Sequence, residues 1–429
     1  MKKVAFITLG CKVNQYETNA MAQQFIEKGY KIVEHTEKAD IYIVNTCTVT
    51  NMSDRKSRQM LRREKELNKD AIIVACGCYA QTAKEELEQM EEIDLVLGNN
   101  EKADIIKYVN NFILKNKKEL KMEDVMQTKE FVEFGDTTFT EKTRAVIKIQ
   151  DGCDRFCSYC IIPYARGRVR SRKPEYVISE ITEIAKNGIK EVVITGIHIA
   201  SYGKDFNNGY KLIDLLEEIN KVEGIERIRL GSIEPLIITE EFVERLKKLE
   251  KICHQFHLSL QSGCDETLKR MNRRYTIEQF KEIAHLLRKN FSDAILTTDI
   301  IVGFPGESEE EFETTYKFLE EIKFYKMHIF KYSPRKGTKA EKMENQIDGN
   351  KKEERSKKLI ELSNKNEREY NQKYIGQDVE VLFEEEKNGV WQGHTKNYIL
   401  AHYKTSKNVE NQIIKLKCIK AMEEYIEVG

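Results

Sequence analysis

Gly152-Cys153-Asp154-Arg155-Phe156-Cys157-Ser158-Tyr159-Cys160 sets three thiols in a C-x3-C-x2-C run, with an aromatic just before the last cysteine. Three ligands do not complete the tetrahedral four of a structural zinc. They match three corners of a 4Fe–4S cube, whose usual complement is four thiolates, and leave one iron open to a substrate or cofactor. Half of a zinc knuckle, or three unrelated thiols, are the other readings of the spacing. Outward from this loop the pattern is regular. A strand-like run at 144–150 leads into it, and further runs follow at 191–195, 227–232, 256–260, 295–302 and 327–332. Helical stretches at 176–187, 212–222, 240–250, 277–290 and 308–322 separate them. Repeated βα units of this kind curl into an open, partial (β/α) barrel with active residues at the strands' carboxyl ends.

The chain has 429 residues, which predicts two to four domains. Its 71 basic and 71 acidic residues balance, so any nucleic-acid contact needs a local basic patch. No apolar run approaches the ~18 residues of a membrane span. The opening Met1-Lys2-Lys3-Val4-Ala5-Phe6-Ile7-Thr8-Leu9-Gly10 is too short for a signal core and reads as a first strand. Ten cysteines in a chain read as cytoplasmic point to metal ligation rather than disulfides. Neither membrane nor DNA is an expected partner.

Strands at 4–8, 41–45, 71–75 and 94–97 alternate with helices at 17–28, 53–67, 82–90 and 102–111, the pattern of a doubly wound parallel sheet. Cys11, Cys47 and the pair Cys76 and Cys78 follow the first three strands. Ligands of open α/β sheets bind beyond those carboxyl ends, so three distant thiols meet on one rim as a second cluster site. Burial as small hydrophobes is the alternative, and Cys76 competes with Cys78 for the third place. Residues 110–143 read as a charged linker.

In the middle module the strand exits carry Thr195-Gly196-Ile197-His198, Ser232-Ile233-Glu234-Pro235, Ser259-Leu260-Gln261-Ser262-Gly263 and Asp299 to Glu307. A basic tract, with Arg155, Arg166, Arg168, Arg170, Arg172 and Lys173, has no acidic residue from Arg155 to Pro174 and suits phosphate contacts, with one or two arginines reserved for the cofactor. After a charged helix at 351–374, short strands at 379–383, 390–394, 399–402, 413–419 and 425–428 predict a small antiparallel, OB-like barrel. From Gly376 onward it carries seven lysines against nine carboxylates, so RNA binding there requires one basic face.

The central cysteine pattern resembles the radical S-adenosylmethionine (SAM) superfamily at every position. That resemblance implies SAM chelated to the open iron by its amino and carboxylate groups, with an electron cleaving the sulfonium to a 5′-deoxyadenosyl radical. Leu9-Gly10-Cys11-Lys12-Val13-Asn14-Gln15-Tyr16-Glu17, Asn45-Thr46-Cys47 and Gly77-Cys78-Tyr79-Ala80-Gln81 resemble the methylthiotransferases. This implies an auxiliary 4Fe–4S cluster on Cys11, Cys47 and Cys78 beside the one on Cys153, Cys157 and Cys160. It also implies SAM bracketed by Tyr159, Gly196, Ser232, Glu234, Gln261 and Gly303. The last module resembles a TRAM domain through Gly393-His394-Thr395-Lys396-Asn397-Tyr398. His394, Lys396 and Tyr398 then join Arg166, Arg168, Arg170 and Arg172 as RNA contacts.

The implied modules are 1–115, 140–370 and 371–429. Within the family, the opening residues look most like the branch acting on N6-threonylcarbamoyladenosine beside the tRNA anticodon, at position 37. Such an enzyme uses one SAM to methylate a cluster-bound sulfide and another as the radical source. It draws electrons from a flavodoxin- or ferredoxin-like donor. The rival expectations are a methylthiotransferase acting on a ribosomal protein and a non-catalytic iron–sulfur protein that binds RNA or senses redox state.

Overall fold

The computed structural model describes residues 1–135, 137 and 143–429. The first module is a parallel sheet of β1 (Lys3–Thr8), β2 (Lys31–Val33), β3 (Ile41–Thr46), β4 (Ile72–Gly77), β5 (Leu95–Leu97) and β6 (Glu119–Lys121), ordered β2-β1-β3-β4-β5-β6. Its strands are near-continuous apolar runs because helices cover both faces. α1 (Lys12–Glu27) packs Tyr16, Met21 and Phe25 on one face, and α2 (Asn51–Leu67) packs Leu61 on the other. The strand order reverses between β1 and β3, which opens a crevice at their carboxyl ends.

α1 begins at Lys12 rather than at 17. Its first turn is polar because it is tied to the strand rim: the Asn14 amide donates to the carbonyls of Leu9 (2.8 Å) and Thr46 (3.0 Å). The helix expected at 82–90 splits into α3 (Cys78–Thr82) and a second short helix, Lys84–Glu88.

The expected linker is not free. β6 extends the sheet, Val125 and Phe134 are buried, and Gln24 donates to the carbonyl of Ala103 (2.9 Å) and toward that of Phe134 (3.4 Å). A three-residue strand carries too little periodicity to be read from sequence. Residues 136 and 138–142, including the expected start of the second module at 140, lie outside the described residues.

The second module contains β7 (Arg144–Asp151), β8 (Arg170–Ser171), β9 (Glu191–Gly196), β10 (Arg227–Leu230), β11 (Gln255–Gln261), β12 (Ile295–Val302) and β13 (Lys326–Lys331). β8 pairs antiparallel with β7, while β7, β9 and β10 run parallel, as do β11, β12 and β13. Parallel bridges Ile228–Ile252 and Ile233–Leu258 join the two groups into a partial barrel. Ile147, Ile181, Leu216, Phe256, Phe280 and Leu319 belong to its main apolar core, with a smaller cluster around Met271, Phe304 and Tyr332. Alternate residues of the last three strands (Gln255 and His257, Thr297 and Asp299, Lys326 and His328) line a cavity instead, the period of two placing polar groups on one face.

The helix Gly349–Gln372 packs Leu359 and Leu362 into that core and leads into the third module. There β14 (Asp378–Lys387), β15 (Val390–Thr395), β16 (Leu400–Lys404), β17 (Ile413–Ala421) and β18 (Ile426–Val428) form a closed barrel, β14-β15-β16-β18-β17. Closure removes free sheet edges. Among the described residues no helix is long and apolar enough to cross a membrane.

Candidate cluster and substrate site

Cys11, Cys47 and Cys78 stand just beyond the carboxyl ends of β1, β3 and β4, close enough that Cys78 acts on both Cys11 and Cys47, and Cys11 on Cys47. Burial raises the Cys11 thiol and pushes Cys47 up to about 11, with Cys78 adding to both. Gly10 (φ +96°) makes the approach possible: a Cβ there would lie 2.7 Å from the Cys47 sulfur. Cys76 belongs elsewhere. Its thiol faces the Val44 carbonyl (3.7 Å) in the apolar layer with Val4 and Tyr16, and burial pushes it up to about 12. A single residue, Gly77 (φ +97°), separates a core thiol from a rim thiol, so Cys78 is the one that lies beside Cys11 and Cys47.

Cys153, Cys157 and Cys160 are half-buried in the loop that leaves β7. The loop is held by Cys153 N–H to Gly167 O (3.0 Å), Ser158 N–H to Met271 O (3.0 Å) and the Ser158 hydroxyl to Arg270 O (2.7 Å). Phe156 adopts a left-handed backbone (φ +48°), a conformation a bulky residue takes only where its surroundings impose it. Burial pushes Cys153 up to about 11 and Cys160 to about 12. Arg273 donates to the Cys157 sulfur (3.3 Å) and to the Ser259 carbonyl (3.0 Å).

The groups around both triads suit sulfur that carries negative charge. Arg273 stands on Cys157, and Arg166 donates from Nε to the Cys78 sulfur (3.2 Å). A guanidinium hydrogen-bonded to a thiolate ligand is a recognised means of holding an iron–sulfur centre and tuning it. Both triads therefore fit a three-thiolate cluster.

Arg166 also links the two sites. Its other nitrogens donate to Glu17 (2.8 and 3.0 Å), Asp151 (3.1 Å) and Asn14 (2.7 Å), all buried. Lys148 bridges Glu17 (2.7 Å) and Asp151 (2.6 Å), and Lys102 completes the cage around Glu17. Asp151 in turn accepts from Gly152 N–H (2.8 Å), the residue before Cys153. Burial alone would raise both carboxyls; the surrounding cations overcome it and hold Glu17 and Asp151 below the usual carboxylate range.

The strand-end residues expected around SAM are distributed as follows. Gly196 and Ser232 line a cavity of about 660 Å³, together with Cys11, Lys12, His257, Asp299, His328 and Tyr398. All three modules meet there. At Gly196 a Cβ would press within 3.0 Å of the Gln150 backbone and side-chain oxygens. Glu234 is buried and paired with Arg155 and with His198 (3.1 Å), which hold it below the usual range against the effect of burial. Gln261 ends β11 with φ +73°. Tyr159 packs against Phe304 at 6.4 Å. Gly303 (φ +69°) makes room for the Lys352 side chain, whose Cγ would lie 2.3 Å from a Cβ.

The RNA expectations need correction at several residues. Arg166, Arg170 and Arg172 are buried, engaged by Glu17 and Asp151, by Asp151 (3.8 Å), and by Glu180 and Glu133 (2.8 Å) respectively. Acidic residues from outside the acid-free stretch, Asp151 and Glu180 at its flanks and Glu17 and Glu133 farther back, neutralise a tract that looks uniformly basic. Arg168 remains exposed, over the ring of Phe156 (4.9 Å), which meets the half-exposed Tyr164 at 5.7 Å. The barrel hairpin faces the partial barrel rather than open solvent. His394 stacks on Tyr398 (4.4 Å), whose ring lies under Arg229 (4.5 Å) and Arg144 (5.2 Å), while Lys396 donates to the Glu250 carbonyl (2.5 Å). His394 and Tyr398 thus line the cavity and have their stacking faces occupied.

Sequence reading quoted Asp299 at a strand exit but missed Arg273, the cavity residues Lys12, His257 and His328, and Arg335. The last donates to Asn51 (2.6 Å), Thr48 (2.7 Å) and Asp54 (2.6 Å), fastening the start of α2 to the loop after β13. Only Lys12, beside Cys11 in a quoted motif, carried a signal.

Residues 147–319 match the radical SAM superfamily and residues 3–98 match uncharacterized protein family UPF0004. The whole chain is 42% identical to the threonylcarbamoyladenosine tRNA methylthiotransferase MtaB of Bacillus subtilis, covering 96% of it. It is 42% identical to the Aquifex aeolicus MtaB over 92% of this chain and 95% of that one. Identity is 35% to the tRNA-2-methylthio-N(6)-dimethylallyladenosine synthase of Caldicellulosiruptor saccharolyticus, over 99% of this chain and 92% of that one. The radical SAM methyltransferase TsrM of Kitasatospora setae has the same fold over 77% of this chain and 73% of that one, with a TM-score of 0.56 at 15% identity. With two thiol triads, a partial barrel and near-complete coverage of these relatives, the chain belongs to the radical SAM tRNA methylthiotransferase family.

Proposed function

We propose that this enzyme adds a methylthio group to carbon 2 of N6-threonylcarbamoyladenosine at position 37 of tRNA, in the cytoplasm. The carrying observation is the shared cavity, into which Cys11 of one thiol triad and the Gly196 and Ser232 strand ends of the partial barrel both open. In this reading Cys11, Cys47 and Cys78 hold one 4Fe–4S cluster, and Cys153, Cys157 and Cys160 hold the other. When bound, the clusters and SAM supply the electron, the radical and the methylthio group that an unactivated adenine carbon requires. The protein's own task is alignment. Arg166 fixes the relative position of the two thiol sites, and Arg155, His198 and Glu234 stiffen the rim where SAM sits. Tyr159, Gln261 and Gly303 complete that rim.

The target base, flipped out of its loop, enters the cavity. Arg168, Phe156 and Tyr164 give the RNA a cation and ring faces at the mouth of the central loop. A flavodoxin- or ferredoxin-like protein delivers the electron. The two relatives named for the threonylcarbamoyl nucleoside share more identity with this chain than the one named for the dimethylallyl nucleoside, which supports the substrate assignment.

Nucleoside analysis of tRNA from a deletion strain tests it. The expected result is threonylcarbamoyladenosine that has lost its methylthio group. Persistence of that group, with its loss instead from dimethylallyladenosine or a ribosomal protein, overturns the assignment.

A further inference from the structure

The cavity has a positive wall without a counter-ion of its own. Lys12, the first residue of α1, lines it and forms no ion pair among the described residues. Its charged surroundings are Arg144, Arg229 and Glu191, with the hydroxyl of Tyr398. The carboxylates nearby are already engaged. Glu191 is taken by Arg229 (2.7 Å), and Glu384 by Arg144 (2.9 Å) and His394 (2.6 Å). Deeper in, Asp299 pairs with His257 (3.2 Å) and Glu367 with Lys326 (3.0 Å), and Glu424 stands beside Glu367 at that far end rather than among the residues around Lys12. Tyr398, around which these cations gather, has φ +77°, a left-handed backbone that a tyrosine adopts only under constraint. Lys12 is exposed at the cavity rim, so its ammonium is free to turn to an incoming anion, and a charge-assisted contact made there is among the stronger polar contacts.

We infer that Lys12, backed by Arg144 and Arg229 across the ring of Tyr398, is the specificity-determining residue that receives the carboxylate of the threonylcarbamoyl group. The inference rests on the substrate reading above. In that nucleoside the ureido N–H folds onto ring nitrogen N1, so the threonyl arm lies along the edge of the base that carries carbon 2. Lys12 is next to Cys11, whose side of the cavity is where carbon 2 must arrive. The charged arm and the reacting carbon therefore approach the same wall. A neutral isopentenyl arm laid over Lys12 would displace its water and offer no partner in return, and sites built to bind a polar group reject analogues lacking it.

The test measures binding of anticodon stem-loops to the full-length, anaerobically reconstituted protein. The loops carry threonylcarbamoyladenosine, its methyl ester, isopentenyladenosine or unmodified adenosine at position 37. The wild type is expected to prefer the acid over unmodified adenosine by about tenfold or more, charge-assisted contacts being the strong ones. Lys12→Met should lose that preference while binding unmodified adenosine as the wild type does, and Lys12→Arg should recover most of it. Iron and sulfide content, measured on each variant, should match the wild type. The methyl ester should bind the wild type like unmodified adenosine, which tests the idea without any variant. If the wild type prefers the acid but tolerates the ester equally, or Lys12→Met keeps the preference, the role of Lys12 is overturned and the substrate reading stands. If the wild type shows no preference for the acid, or prefers isopentenyladenosine, the substrate reading itself fails.

Discussion

The two thiol triads reach similar ends by opposite routes. The central one is local: Cys153, Cys157 and Cys160 share a single loop whose backbone bonds run to Gly167 and Met271. The N-terminal one is assembled: Cys11, Cys47 and Cys78 come from three strand exits, and the cation on Cys78 comes from another module. A local site is secured by spacing. An assembled one depends on sheet order, on Gly10 leaving space over the Cys47 sulfur, and on Arg166 reaching across from beyond the other triad.

Cysteine replacement strikes this contrast hardest. Cys47→Ala and Cys157→Ala should each reduce bound iron from about eight to about four per chain, read by iron and sulfide analysis after anaerobic reconstitution. Cys47→Ala should still cleave SAM, whereas Cys157→Ala should not. Cys76→Ala should leave the iron count unchanged; a loss there would show that the assembled site uses a different third thiol.

Next comes the bridge between the sites. Arg166→Ala leaves Glu17 and Asp151 buried with fewer cations, and removing one partner of such a network costs about 3–5 kcal/mol, measurable by denaturant unfolding. The acid limb of stability follows the same cause. Carboxyls held below their usual value contribute stability present above their unfolded pKa and lost as pH falls through the folded one. The wild type should therefore keep this contribution down to about pH 4, near an unperturbed carboxyl value. Arg166→Gln, less stable at neutral pH, should lose less on further acidification, because less of this contribution is left to lose. Coincident acid limbs would mean that Lys102 and Lys148 suffice.

Arg335→Ala, which releases α2 from the loop after β13, should cost about 1–3 kcal/mol through the unpaired Asp54 and Thr48, with the central cluster's iron retained. Arg168→Ala is the smallest effect. Its exposed pair with Asp154 is worth less than about 1 kcal/mol, so stability should hardly move. tRNA affinity should fall, with the salt slope reduced by about one.

The same contrast explains what could be read from the chain. The C-x3-C-x2-C loop was legible because its chemistry is encoded in consecutive residues. The rim position of Cys11, Cys47 and Cys78 was legible because apolar runs announce strand ends. The arginine tract misled because only folding brings Asp151 and Glu180 from its flanks, and Glu17 and Glu133 from farther back, onto Arg166, Arg170 and Arg172. His394 and Tyr398 looked like free stacking faces for the same reason: Arg144 and Arg229, which cover Tyr398, belong to the partial barrel. β6 and the packing of Phe134 were illegible because a short strand and one aromatic leave no period to detect.

The cage around Glu17 also bears on how the molecule is made. Synthesis delivers Glu17, Cys78 and Lys102 before Lys148, Asp151 and Arg166 exist, so the early sheet holds a carboxylate with only one of its three cations. The Cys78 sulfur thus acquires its guanidinium partner only once the second module has been made, so the rim of the first module is finished by a residue translated long after it.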